Sequence, residues 1–210
     1  MFKNIVQELY RVLKKGGVIV WVVNDKTQNG SESGTSFKQA LYFKELGLNL
    51  HDTMIWFKSN AMPQVDKTRY TQSFEYMFVF SKGKPKTTNL RTIPTKHGGK
   101  YLARGDGNIE NINKKGGNVV KRERVAFNIF DVCVGGRNYG HPAIFPLEIP
   151  KLHIATWSNE NDNVLDCFMG SGTTGVICKE LNRNFIGIEL DENYYKIACE
   201  RINNTQDKTS

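Results

Sequence analysis

Asp166, Gly170, Ser171, Gly172, Thr173, Thr174 and Glu189 are the residues of this chain whose types and spacing could do chemistry. Most of them lie in one stretch, DCFMGSGTT (166–174). The apolar pair Val164 and Leu165 precedes it, and the helix-like TTGVICKEL (173–181) follows. Glycines at 170 and 172 let the backbone turn sharply and leave room for a ligand against the main chain. The free N–H groups opening the next helix favour polar or anionic ligand atoms. A second apolar run, FIGIEL (185–190), places Glu189 close to the offset of roughly 20 residues at which an acid grips ribose hydroxyls. Together these imply a pocket for a nucleoside cofactor. The plainer alternative is a strand–turn–helix that binds nothing, and the agreement of turn, helix start and distal acid speaks against it.

The choice of nucleoside follows from charge. Gly170, Gly172 and Gly175 match the G-x-G-x-x-G spacing of dinucleotide sites. Asp166, however, would repel a pyrophosphate and attract a cationic, amine-bearing ligand. S-adenosylmethionine carries a sulfonium and an α-ammonium and fits better. An oxidoreductase on a dinucleotide fold is disfavoured by Asp166 and by the SGTT turn.

At these residues the chain resembles a family. DCFMGSGTT, with HPAIFP (141–146) before it and FIGIELDENYYKIACERI (185–202) after it, looks like the C-terminal half of amino-methylating DNA methyltransferases. These are the N6-adenine and N4-cytosine enzymes of the permuted type, whose catalytic motif precedes the cofactor motif. ELYRVLKKGGVIVWVVND (8–25), GTSFKQALYFKELG (34–47) and RYTQSFEYMFVFSKGKPK (69–86) resemble the same family's central region. The resemblance implies a Rossmann-like α/β fold, S-adenosylmethionine as cofactor and DNA as partner, in restriction-modification. It implies that Asp166 and Phe168 face the cofactor, that the 170–174 turn wraps it and that Glu189 holds its ribose. Leu190 would pack on the adenine, while Pro142 and Ala143, beside His141, would close the methionine end. Cys167 departs from the family, which usually has Pro there.

Positive charge sits in one place. The chain has 210 residues and a net charge of +8, but Lys82 to Arg124 alone holds 12 Lys/Arg against three Asp/Glu. That segment carries +9 and the remainder −1. Concentrated positive charge attracts phosphates and releases counterions, which suits nucleic acid; a solvated basic loop is the plainer explanation. The segment resembles the family's target-recognition insert. Domains are therefore expected at 1–81 (central part), 82–140 (insert) and 141–206 (cofactor part), with 207–210 a tail.

Cys133, Cys167, Cys178 and Cys199 show no C-x-x-C spacing, and His51, His97, His141 and His153 are scattered, so no metal site is indicated. No apolar run is long enough for a membrane span. Charges interrupt the apolar positions of MFKNIVQELYRVLKK, against a signal peptide, so a cytoplasmic protein is expected, and the resemblance implies a bacterial or phage one.

The elements that must hold these residues are legible. An amphipathic helix is expected over 3–15, ended by Gly16–Gly17. VIVWVV (18–23) reads as a parallel strand covered on both faces. The loop at its carboxyl end offers Asn24, Asp25 and Ser36 as candidate pocket residues, although loop chemistry explains them equally well. A helix over 36–46 and strands at 51–57 and 74–81 follow. Phe74, Tyr76, Phe78 and Phe80 share one face, read as core; for Tyr70 and Phe74, at or just before the strand's start, the resemblance implies a place near the extruded base. Pro146 and Pro150 bracket a helix start. A final helix capped by Asp191 is expected to bury Tyr195, Ala198 and Ile202.

A base amine is a poor nucleophile, because its lone pair is delocalised into the ring. In the resembled family an Asp/Asn/Ser-Pro-Pro-aromatic loop accepts hydrogen bonds from it. The six prolines here, at 63, 85, 94, 142, 146 and 150, are never adjacent. No catalytic residue is assigned, and the chain alone is expected to lack methyl transfer. It is also expected to lack the central strand between 18–23 and 163–167. A homodimer or an N-terminal companion polypeptide would fill the gap. The alternative is a non-catalytic DNA-binding or regulatory remnant.

Overall fold

The computed structural model describes residues 2–63, 68–96, 99, 101–102, 118–119, 121–135 and 145–205. In chain order the elements are α1 (Phe2–Val12), β1 (Val18–Val23), β2 (Thr27–Gln28), β3 (Ser31–Glu32), α2 (Thr35–Glu45), β4 (Asn49–Phe57) and β5 (Phe74–Ser81). Then come β6 (Thr92–Pro94), β7 (Tyr101–Leu102), β8 (Asn118–Val119), β9 (Glu123–Val125) and β10 (Ile129–Asp131). The chain closes with α3 (Glu148–Trp157), β11 (Asn163–Asp166), α4 (Thr173–Glu180), β12 (Asn184–Gly187) and α5 (Glu192–Asn203). It divides into two compact units, one of residues up to Asn89 and from Asn128 onward, the other Leu90–Phe127.

The first unit is built on a four-stranded sheet in the order β1-β5-β4-β10. The alternation read in β5 decides its two faces, because successive side chains of a strand point opposite ways. Phe78 and Phe80 pack with Val6, Ala40, Phe43 and Leu48, so α1 and α2 cover one face. Met77 and Val79 pack with Met54, Trp56 and Ile149, so α3 covers the other. Phe43 stacks on Phe80 with ring centroids 4.4 Å apart. The aromatic face of β5 is thus core, as its pattern implied.

β11 and β12 form a separate parallel pair. It rests on Ile154, Ile177 and Cys178, with Val164 and Phe185 packed beside them. Among the described residues β1 pairs only with β5 and β11 only with β12, so each has an open edge. The expectation for β1 therefore needs correcting. Its one described neighbour runs antiparallel, and all six residues are half-buried rather than covered.

α1 stops at Val12, three residues short of the expected end. Lys82, counted in the basic segment, explains it. Its ammonium donates to the Tyr10 and Leu13 carbonyls at 2.8 and 3.1 Å, satisfying acceptors that the helix end leaves open. β10, three residues within a stretch of no periodicity, joins the sheet parallel to β4. No described helix is long and apolar enough to cross a membrane.

Candidate cofactor site

β11 ends at Asp166, and the turn after it is tied to the exit of β12 by the main chain. Ile188 N–H donates to the Asp166 carbonyl at 2.9 Å, and Met169 N–H to the Ile188 carbonyl at 3.0 Å. Gly170 and Gly172 both take left-handed backbone, at φ 51° and 80°, a region in which a side chain is strained. Gly172 then starts α4.

The two carboxylates are drawn into this turn. Asp166 accepts from the Phe168 N–H at 3.0 Å and from the Thr174 hydroxyl at 2.5 Å. Glu189 reaches back across 19 residues to accept from the Gly170 N–H at 2.9 Å. Its other oxygen accepts from the Leu190 and Asp191 N–H groups at 2.8 and 3.0 Å. Turn and distal acid are therefore one structure. A carboxylate oxygen accepts about two hydrogen bonds, so the Glu189 oxygen facing Gly170 keeps capacity for a hydroxyl donor.

Apolar side chains stand open around the turn. Leu190 is 95% exposed and Phe168 58%, with Ile186 and Ile188 exposed nearby. The Phe168 ring also meets Trp21 of β1 edge-on, centroids 6.3 Å apart. Exposed apolar surface beside an acid and a glycine turn suits a flat base carrying a ribose.

Three of the candidate positions serve the fold inward. Ser171 is only 4% exposed, and its hydroxyl and carbonyl accept from Arg201 of α5 at 2.7 and 2.5 Å. Thr173 is buried, and Thr174 orients Asp166. Arg201 was missed by the sequence reading, for no spacing rule links a residue of the last helix to the turn. Asp191 caps α5 as expected, accepting from the Asn193 and Tyr194 N–H groups. Of the three residues expected inside, Ala198 is buried, Ile202 is partly buried and Tyr195 is half exposed.

The Cys167 thiol is pushed up to about 11 by burial and by the Asp166 charge. Cys178 is pushed up to about 12 by burial and the same carboxylate, against the opposing effect of Arg183. Both thiols stay protonated near neutrality.

Asn24, Asp25 and Ser36 are brought together, by bonds internal to their loop. The Ser33 hydroxyl donates to Asp25 at 2.7 Å, and the fully buried Ser36 donates its hydroxyl and, at 3.2 Å, its N–H. Burial raises the Asp25 carboxyl, but the Ser36 and Ser33 hydroxyls together with the Ser36 and Thr35 N–H groups outweigh it and hold the group below its ordinary value. Asp25 is thus a distant cap for α2, whose own N-cap, Gly34, has no side chain to offer. Tyr70 is fully open to solvent, while Phe74 is half-buried against Tyr76. Pro142, Ala143 and His141 lie outside the described residues. Among the described residues no three His, Cys, Asp or Glu side chains gather as a metal would require.

Known proteins resemble this chain over most of its length. A family model described as DNA methylase, for the N6 and N4 enzymes, matches residues 1–200. The chain is 49% identical to the orphan methyltransferase M.BamHII of Bacillus amyloliquefaciens, over 97% of this chain and 81% of that protein. It is 33% identical to the Type II methyltransferase M.SmaI of Serratia marcescens, over 80% of this chain but only 51% of that protein, and so spans about half of it. Among solved structures, the M1.HpyAVI–SAM complex superposes with a TM-score of 0.66 at 26% identity, covering 96% of this chain and 81% of that one. The cytosine-N4-specific PvuII DNA methyltransferase shares the fold, with a TM-score of 0.69 at 20% identity over 98% of this chain and 73% of that one. With its strand–glycine turn–helix and distal acid in place, the chain belongs to the N6/N4 DNA methylase family.

Proposed function

We propose that this chain is the cofactor-holding and DNA-reading part of an S-adenosylmethionine-dependent DNA methyltransferase of restriction-modification type, acting in the cytoplasm on adenine N6 or cytosine N4. The observation that carries the reading is the bond from the Gly170 N–H to Glu189, which joins the glycine turn to the distal acid. Asp166 faces the methionine part, and its charge favours a sulfonium and an ammonium. The main chain of Gly170, Ser171, Gly172, Thr173 and Thr174 wraps that part, Glu189 takes the ribose hydroxyls, and Phe168 and Leu190 flank the adenine. Pro142 and Ala143 close the methionine end. When bound, the cofactor supplies a methyl group made electrophilic by the sulfonium. The domain assignment that goes with this reading is 1–81, 82–140 and 141–206.

Methylating a base amine requires the base to leave the duplex and its amine to meet positioned acceptors. The Pro-Pro-aromatic loop that would supply such acceptors is not found in these 210 residues, so turnover requires a further polypeptide segment that carries it, in the same chain or in a companion. The open edges of β1 and β11 support this, because unpaired strand backbone accepts a further strand.

Calorimetry of the full chain with S-adenosylmethionine is the test. Asp166→Ala with Glu189→Ala is expected to weaken binding at least about tenfold, the scale of hydrogen bonds to charged groups. Undiminished binding would overturn the site. Methyl transfer restored by a companion bearing the Pro-Pro-aromatic loop supports the split enzyme; DNA binding with no cofactor affinity would establish the remnant instead.

A further inference from the structure

β6 and β9 form an antiparallel ribbon within the second unit, with Thr92, Ile93 and Pro94 opposite Val125, Arg124 and Glu123. Main-chain bonds extend the pairing at both ends, Ala126 N–H to the Arg91 carbonyl and Thr95 N–H to the Arg122 carbonyl, each 2.9 Å. Side chains alternate across such a ribbon, so Arg91, Ile93, Thr95, Arg122 and Arg124 share one face. Thr92, Pro94, Glu123 and Val125 take the other. The single acid of the ribbon is thus turned away from the arginines, and it is held by the Thr92 hydroxyl at 2.7 Å. All three arginines are exposed, and among the described residues none is paired with a carboxylate.

Arg124 differs from the other two. It sits opposite Ile93 in mid-ribbon, and its guanidinium lies over the exposed Phe127 ring, 4.0 Å from the centroid. Stacking fixes the plane of the guanidinium and leaves its edge of N–H donors free, as recognition by two parallel hydrogen bonds requires. A major groove about 12 Å wide admits a two-stranded ribbon, and guanine presents O6 and N7 there as paired acceptors.

We propose that the arginine face of this ribbon enters the major groove of duplex DNA, where Arg124, steadied by Phe127, reads a guanine edge and Arg91 and Arg122 lie against phosphates. This rests on the DNA-methylating function proposed above and adds the residues that set its sequence preference. Arg124 is the specificity residue and Phe127 a positioning residue.

The experiment uses the full chain. Short duplexes are enriched from a randomised pool by binding, then resynthesised with 7-deazaguanine, which lacks the N7 acceptor, and affinities are read by fluorescence anisotropy. The native chain is expected to lose roughly 5- to 150-fold on the 7-deaza duplex, the range of a good base contact. Arg124→Gln binds both duplexes alike. Phe127→Leu follows Arg124→Gln, whereas Phe127→Tyr keeps the discrimination. Arg91→Gln and Arg122→Gln weaken every duplex equally, each lowering the slope of log affinity against log salt by about 0.9. Glu123→Gln, on the opposite face, preserves the discrimination. Discrimination retained by Arg124→Gln, or native affinity in the triple arginine variant, overturns the inference alone. Failure of the native chain to enrich any duplex overturns the DNA-reading function as well.

Discussion

Gly172 is constrained from two sides. Its left-handed backbone is one constraint, and α5 is the other: a Cβ built there would sit 2.9 Å from the Ala198 Cβ and 3.0 Å from its Cα. The room this glycine leaves is therefore taken by a helix of the same protein, which corrects the expectation that it is kept for a ligand. Gly172→Ala is expected to destabilise the chain by about 2–4 kcal/mol, combining backbone strain with overpacking. Chemical denaturation measures this, and a midpoint unchanged from the native chain would refute it. The types and spacing of Asp166, Gly170 and Glu189 were legible in sequence because strand, glycine turn, helix and acid follow one another along the chain. The inward roles of Ser171 and Arg201 were not, because nothing local couples residues 30 apart.

Among the elements, α3 carries the side chain with the clearest dependence on pH. His153 is buried against Met77, its Nε2 3.2 Å from the thioether sulfur, and among the described residues its Nδ1 has no hydrogen-bond partner. Burial lowers its pKa from an ordinary 6.5 to about 4. The folded protein keeps the ring neutral where the unfolded chain would charge it. Unfolding therefore takes up a proton between pH 6.5 and about 4, and stability falls as pH drops through that window. The melting temperature of His153→Leu is expected to vary less than that of the native chain across this range, and equal slopes would refute the assignment. The alternation that placed β5 in sequence reflects a strand packed on both faces, its aromatic side chains against α1 and α2 and its aliphatic ones against α3. The same reading failed for β1, because an apolar run does not reveal whether its neighbour is parallel, antiparallel or missing.

For the whole molecule, charge and fold divide along similar lines. Nine of the 12 Lys/Arg between Lys82 and Arg124 lie in the second unit, from Leu90 to Phe127. The residues on either side of it belong to the first unit and are bonded within it. Asn89 N–H donates to the Thr156 carbonyl at 2.8 Å, and the Asn128 amide donates to the Thr53 carbonyl at 3.0 Å. Replacing residues 90–127 by a glycine–serine linker should leave S-adenosylmethionine binding intact by calorimetry while DNA affinity falls at least about tenfold, since phosphate neutralisation supplies most non-specific binding. Unchanged DNA affinity would place the DNA surface on the first unit instead.

By itself the sequence determined the glycine turn, its distal acid, the helix that Asp191 caps and the segment in which positive charge gathers. Each of these depends on neighbours along the chain or on composition, which folding does not alter. Only the tertiary structure decided that Glu189 bonds Gly170, that Lys82 closes α1, that β1 and β11 keep an open edge among the described residues, and that three arginines share one face of a ribbon. Those facts require segments distant in sequence to meet, and a side chain's partner is set by where the chain returns rather than by what stands beside it.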